Sequence, residues 1–246
     1  MVRKVRLGVI VPSSNTALEP LTQAMIASIN EPDLKISVHF SRFRVTQISL
    51  SAESEVQFSL EQMLDAAGLL ADAKVDVIGW SGTSAGWLGF EKDKELCETI
   101  ELYTGIPATT STLGLIRVLK RIGAKQMGLI TPYTAEMNDC IRANYSRIGI
   151  EIPTSQDQHI GILENVEIAE IDEDTLDRMV DAVVHAGALV VVTYCTNLSA
   201  AQRVEHWETK YDITVLDSVS TVVWDMLHMT VHRSGLVKGW GKMLTN

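Results

Sequence analysis

Three cysteines in 246 residues (Cys97, Cys140 and Cys195), with no Cys-x-x-Cys pair among them, supply neither a disulfide framework nor a zinc site. Nowhere do 18 apolar residues run together, so no membrane span is expected. The basic residues ahead of the first apolar run in MVRKVRLGVIVPSSN imitate a signal peptide, but the run is short, lacks a small-residue cleavage site and stops at Pro12. It is read as a first strand, and a reducing cytoplasm is the expected setting. With 21 Lys and Arg against 31 Asp and Glu, the formal net charge is −10, and no basic stripe offers a nucleic-acid surface. An anionic ligand would therefore need hydrogen-bond donors built into its site, against an unfavourable overall field. The six histidines show no His-x-x-x-His spacing, and lone ones such as His39 and His185 are ordinarily structural, so no metal is expected.

What is present is alternation. Short runs rich in Val and Ile (Arg6 to Val11, Val75 to Trp80, Gln126 to Thr131, Ala188 to Thr193, Ile213 to Leu216) are separated by stretches of helical periodicity (Glu53 to Ala73, Ser111 to Arg121, Ala135 to Ile148, Asp174 to Ala186). This is the pattern of an α/β fold with parallel sheets flanked by helices.

The order of motifs also repeats. Gly8-Val9-Ile10-Val11-Pro12-Ser13 answers to Gly128-Leu129-Ile130-Thr131-Pro132-Tyr133, and Asp76 to Ser84 answers to Leu189 to Asn197. Ile106 to Ser111 answers to Ile213 to Ser218, each segment preceding a helix. Two pseudo-symmetric lobes follow, each a mainly parallel four-stranded sheet. Strands of both end in Pro, Ser, Thr, Asn, Tyr or Cys, and in parallel sheets ligands sit beyond the carboxyl ends of strands. The expected site is the cleft between the lobes.

Three readings compete for the chemistry. Gly82-Thr83-Ser84-Ala85-Gly86 matches the G-x-S-x-G elbow of serine hydrolases, and Asp217 with His228 or His232 follows in the hydrolase order, but no HGGG-type loop accompanies it and a hydrolase sheet is not a duplication. A phosphate loop is disfavoured because neither GxxxxGK[ST] nor G-x-G-x-x-G is present. The third reading starts from Cys195. Cys97 and Cys140 fall inside helical patterns, whereas Cys195 stands at a strand end before Thr196-Asn197 and has Gly82 as its counterpart in the other half. Structural roles stand beside the functional ones: Tyr133 could cap the core, Pro12 and Pro132 could end strands, and Asn15 and Thr83 could cap helices.

The Gly8-to-Thr16 start, Thr131-Pro132-Tyr133, Asn165 in Ile-Leu-Glu-Asn-Val-Glu-Ile, and Cys195 after an apolar strand together resemble the aspartate/glutamate racemase superfamily. Within it they resemble the branch of arylmalonate decarboxylase and maleate cis-trans isomerase. The resemblance spans essentially the whole chain. It implies a last segment borrowed across the hinge, so that residues 1–111 with 220–246 form one lobe and 112–219 the other. It also implies Cys195 as the catalytic group, with Pro12, Ser14, Asn15, Gly82, Thr83, Ser84, Tyr133, Asn165 and Thr196 around the substrate. Racemases and isomerases of this superfamily carry a cysteine where this chain has Gly82, whereas the decarboxylase resembles it in Gly82-Thr83-Ser84 with a single second-half cysteine. Ser14-Asn15 and Asn165 resemble the isomerase branch.

The expectation is a decarboxylase of a substituted malonate or similar small dicarboxylate, needing no cofactor, in which Cys195 protonates an enediolate. A maleate isomerase-like or racemase-like activity is the alternative; a binding protein of the same shape that has lost catalysis stands behind it, because soluble proteins of that kind usually carry export signals, and a hydrolase using Ser84 comes last. Gly82→Cys is expected to install a second proton relay. A homo-oligomer is left open.

Overall fold

A computed structural model describes residues 2–51, 56–233 and 235–245. The first half runs β1 (Arg3–Pro12), α1 (Leu18–Ala27), β2 (Leu34–Phe43), α2 (Leu60–Asp72), β3 (Val77–Trp80), α3 (Ala85–Leu88), α4 (Phe90–Thr104), β4 (Ala108–Thr110) and α5 (Ser111–Arg121). The second runs β5 (Gly128–Thr131), α6 (Ala135–Arg147), β6 (Asp157–His159), α7 (Asn165–Ile168), α8 (Glu173–His185), β7 (Val190–Thr193), α9 (Val204–Tyr211), β8 (Thr214–Asp217) and α10 (Ser218–Thr230). A one-turn helix, α11 (Lys242–Thr245), ends the described chain. No described helix is long and apolar enough to cross a membrane.

The strands form two four-stranded sheets, β2-β1-β3-β4 and β6-β5-β7-β8, with every pairing parallel. The duplication read from the sequence is thus a duplication of topology, and it extends to register. Gly8 pairs with Ile78 in one sheet and Gly128 with Val191 in the other. Just past the strands, the Ser81 N–H donates to the Ile10 carbonyl (3.1 Å) and the Tyr194 N–H to the Ile130 carbonyl (2.8 Å). The inner strands β3 and β5 are buried along their whole length, which is why they read as unbroken apolar runs rather than as alternation.

Helix starts obey the same repeat. Thr110, the last residue of β4, caps α5 by accepting the Leu113 N–H (3.0 Å). Asp217, the last residue of β8, caps α10 by accepting the N–H groups of Val219 (2.8 Å) and Ser220 (3.2 Å). Helix α10 then returns to the first sheet, packing on β3 and β4 and crossing α5. The crossing is close because Gly114 of α5 faces the backbone of Thr221: a Cβ at 114 would lie 2.6 Å from the Thr221 carbonyl oxygen. Helix α11 packs instead on β8, where the Lys242 N–H donates to buried Glu208 (2.7 Å).

Two edge strands, β2 and β6, escape the apolar-run criterion. In β2 (LKISVHFSRF) polar residues interleave because much of the strand is only half-buried, and β6 is three polar residues held by pairing to β5. Helix α4 carries so many charges that its apolar stripe is thin. The first residues of the stretch expected to be helical from Glu53 lie outside the described residues; the helix observed there is Leu60–Asp72.

Two stability measurements test this packing. Alanine ordinarily favours a helix interior over glycine by ~1 kcal/mol, but Gly114→Ala is expected to destabilise by about 1–3 kcal/mol, because a backbone carbonyl cannot step aside; a thermal melt unchanged or raised would contradict the crossing. Burial pushes the Asp217 carboxyl from 3.8 to about 6, against the opposing hydrogen bonds from Thr193 and the α10 amides. The folded state then binds more protons than the unfolded one between those values, so stability falls as pH rises through about 4 to 6, by ~3 kcal/mol. Asp217→Asn, which keeps a capping oxygen, should flatten that part of the denaturation-versus-pH curve.

Candidate active site

The carboxyl ends of β1, β3, β5 and β7 meet at one small pocket. Pro12, Gly82, Thr83, Ser84, Tyr133, Asn165, Cys195 and Thr196, all chosen from the sequence, line it together with Val45, Ile48, Phe58, Trp80 and Trp87. Ser14 and Asn15 do not line it and stand behind. The pocket holds ≈ 20 Å³, about the room of one water, so a diacid enters only if its walls part.

Cys195 is 2% exposed and accepts the Asn197 backbone N–H at its Sγ (3.4 Å). Burial raises its thiol from 9.0 to about 11, against the Tyr133 hydroxyl and the amides of Asn197 and Leu198, which pull it down. At neutral pH the group is a thiol and holds a proton to give. Tyr133 is buried against Trp87, edge to face at 5.1 Å, and its hydroxyl lies 2.7 Å from the Thr83 hydroxyl across the two halves. Burial keeps that phenol well above its usual range, so it too stays neutral.

The asparagines do structural work around this centre. Asn15 accepts the N–H groups of Ala17 (3.1 Å) and Leu18 (3.0 Å) at the start of α1, the capping role that competed with substrate binding, and its amide reaches the Thr196 hydroxyl (3.3 Å). Asn165 donates to Ser14 (2.9 Å), which in turn donates to the Val45 carbonyl (2.5 Å). Asn197, passed over in the sequence, accepts from Thr16 (3.0 Å) and Ala17 (3.1 Å) and donates to the Asn165 carbonyl (2.5 Å). Its place two residues after Cys195 was the signal available for finding it.

Position 82 differs most from expectation. A Cβ there would fall inside the indole ring of Trp80, overlapping Cζ2 and Cε2 and lying 2.7 Å from Cη2. The space a side chain at 82 would take is filled by Trp80, itself held by Phe43 (5.1 Å) and Phe58 (6.5 Å). Gly82→Cys alone therefore cannot place a second thiol opposite the first without displacing that ring. Sequence reading missed Trp80 and Trp87 because aromatic residues at a strand end and in a short helix look like core.

The hydrolase reading is corrected by the same geometry. Asp217 is committed to Thr193 (2.8 Å) and to the start of α10, His228 is exposed and stacked on Trp224 (5.4 Å), and His232 is exposed. Among the described residues no histidine lines the pocket beside Ser84, so the histidine base that the hydrolase reading needs is missing.

A family profile described as arylmalonate decarboxylase matches residues 7–244. Among curated proteins, the maleate isomerase of Geobacillus stearothermophilus is 26% identical over 236 residues, covering 92% of each chain. The arylmalonate decarboxylase of Bordetella bronchiseptica is 23% identical over 190 residues, 75% of this chain and 77% of that one. In fold the chain is similar to Nocardia farcinica maleate cis-trans isomerase, solved as a cysteine-to-serine mutant with a covalently bound succinylcysteine intermediate, at a TM-score of 0.87 and 20% identity over 98% of both chains. The family match spans residues 7–244, nearly the whole chain, and the chain belongs to the arylmalonate decarboxylase family.

Proposed function

We propose that this protein is a cofactor-independent decarboxylase of a substituted malonate, in which Cys195 delivers the proton. The observation that carries the reading is the asymmetry across the pocket: a protonated thiol on one side, and on the other Gly82 covered by the indole of Trp80. One face of the reacting carbon can receive a proton and the other meets hydrocarbon.

One carboxylate would be held by the paired hydroxyls of Thr83 and Tyr133, aimed at the charge that builds on an enediolate. The second carboxylate would face Pro12, Val45 and Ile48, where it has few partners and is poorly solvated. Its C–C bond breaks, CO₂ leaves, and the electron pair stays on the α-carbon as the enediolate. The Cys195 S–H then breaks, its proton forms the new C–H bond, and the thiolate recovers a proton from water. The neighbouring amide and phenol soften the cost of that transient anion.

A second reading, maleate isomerisation, is favoured by the curated relatives, since the isomerase match covers more of this chain than the decarboxylase match does. Of the described cysteines only Cys195 lines the pocket, so it would have to act as the nucleophile that adds to the double bond, and as a thiol at about 11 it is poorly ionised for that task.

Phenylmalonate and maleate separate the two. Release of CO₂ from phenylmalonate without conversion of maleate to fumarate is expected, and the reverse pattern would overturn the decarboxylase reading. Cys195→Ala should lower kcat by ~10²–10⁴-fold with the fold intact by circular dichroism. Because the donor is the protonated thiol, kcat should stay level through neutral pH and fall only as pH rises towards about 11; a fall centred near neutrality would mean a different donor. Gly82→Cys alone should give no exchange of the product α-hydrogen in D₂O, whereas Gly82→Cys with Trp80→Ala should give it.

A further inference from the structure

Trp80, whose indole covers Gly82, carries a polar group that the chemistry above leaves unused. Its Nε1–H is buried without an acceptor among the described residues, as is that of Trp87, and both residues line the Cys195 pocket. A buried indole N–H ordinarily finds a partner, as that of Trp207 does in Asp177 (2.7 Å). At position 80 a neighbour fixes where the N–H lies. A Cβ on Gly82 would meet Cζ2, Cε2 and Cη2, so the benzo edge of the ring covers Gly82. Nε1, bonded to Cε2, is the next atom along that rim, and Gly82 itself lines the pocket.

The other donors of the pocket are largely committed. Thr196 donates its hydroxyl to the Ser81 carbonyl (3.2 Å), and Asn165 donates to Ser14 (2.9 Å). The hydroxyls of Thr83 and Tyr133 bond each other, so the pair has one proton left to give. The proton of Cys195 is the one spent on carbon. Beyond these stand only the Ser84 hydroxyl and the two indoles among the described lining residues. An enediolate gathers negative charge on two oxygens, and in a pocket shielded from water each lone pair left unanswered is costly. An indole suits that demand, because its nitrogen gives a hydrogen bond and keeps its proton. It can hold the charge while the face it covers still receives no proton.

We propose that the Trp80 Nε1–H donates directly to the carboxylate the substrate retains, and that this hydrogen bond strengthens as the group becomes an enediolate. The inference rests on the reading above for the nature of the developing anion. It gives one side chain two duties, since the ring that fills the space beside Gly82 also supplies a donor from the first half of the molecule.

Replacing Trp80 by 3-benzothienylalanine, through nonsense suppression, keeps the bicyclic shape and puts sulfur where the N–H was; Trp80→Phe removes the N–H with a smaller ring. Two ligands that undergo no decarboxylation would be titrated by calorimetry: phenylacetate, and the nitronate of phenylnitromethane, a planar anion shaped like the enediolate. Both variants are expected to bind the nitronate about tenfold or more weakly than the parent protein, because hydrogen bonds to charged groups are the strong ones. Phenylacetate should stay within about threefold. The benzothienyl protein should melt no lower than the parent, because no protein acceptor is lost. In the ¹⁵N-labelled parent, the indole proton signal that the benzothienyl protein lacks should move downfield when the nitronate binds. Unchanged nitronate affinity, an equal loss for both ligands, or an unmoved indole signal would each overturn the proposal. So would a lower melting temperature of the benzothienyl protein, which would mean that the N–H already rests on a protein group such as the Phe43 or Phe58 ring. If nitronate binding depends on Trp80 and phenylmalonate releases no CO₂, the decarboxylase reading alone falls; turnover of phenylmalonate with kcat/KM unchanged in the benzothienyl protein removes only the donor.

Discussion

Asn197 is where the two halves of the molecule are joined at the site. Its side chain is fully buried, its oxygen takes two amides from the start of α1 in the first half, and its amide reaches the Asn165 carbonyl in the second. Its backbone N–H meanwhile donates to the Cys195 sulfur. A buried amide left unpaired would be strongly destabilising, so this residue is satisfied only when both lobes stand in one relation to each other. That relation sets the distance between Thr83 and Tyr133, which come from different halves and share a hydrogen bond. Backbone bonds beside the site, Ile48 to Leu163 (2.9 Å) and Asn165 to Thr46 (3.0 Å), lock the same geometry from the side.

Within this frame the duplication is kept in the backbone and broken in the side chains. The sheets share order, direction and register, and the caps of α5 and α10 correspond. At the equivalent strand ends, however, one half offers Cys195 and the other Gly82 beneath Trp80. Gly82 leaves no void, because protein interiors are packed too densely to keep one; the indole of the residue two positions earlier takes the space.

Burial also fixes the protonation of the site. Desolvation dominates at both titratable groups of the pocket: it raises Cys195 to about 11 and keeps Tyr133 neutral. A pocket lined by neutral groups on an acidic protein can attract a ligand only through dipoles aimed at short range, not through net charge.

The sequence by itself determined the class of fold, the duplication and the neighbourhood of the site, because buried parallel strands and their polar ends leave a local signature that survives without coordinates. Cys195, Gly82, Thr83, Ser84 and Tyr133 could be read from such strand ends. Only the tertiary structure decided which polar residues face the pocket and which hold it together. Asn15 and Ser14 are chemically fit for either task, and the choice depends on partners brought from as far as 181 residues away or from the next turn. Only the structure could show Trp80 over Gly82 or the burial of Asp93. A ring's direction at a strand end and a carboxyl's burial on a charged helix are set by what packs against them, and no local pattern records that.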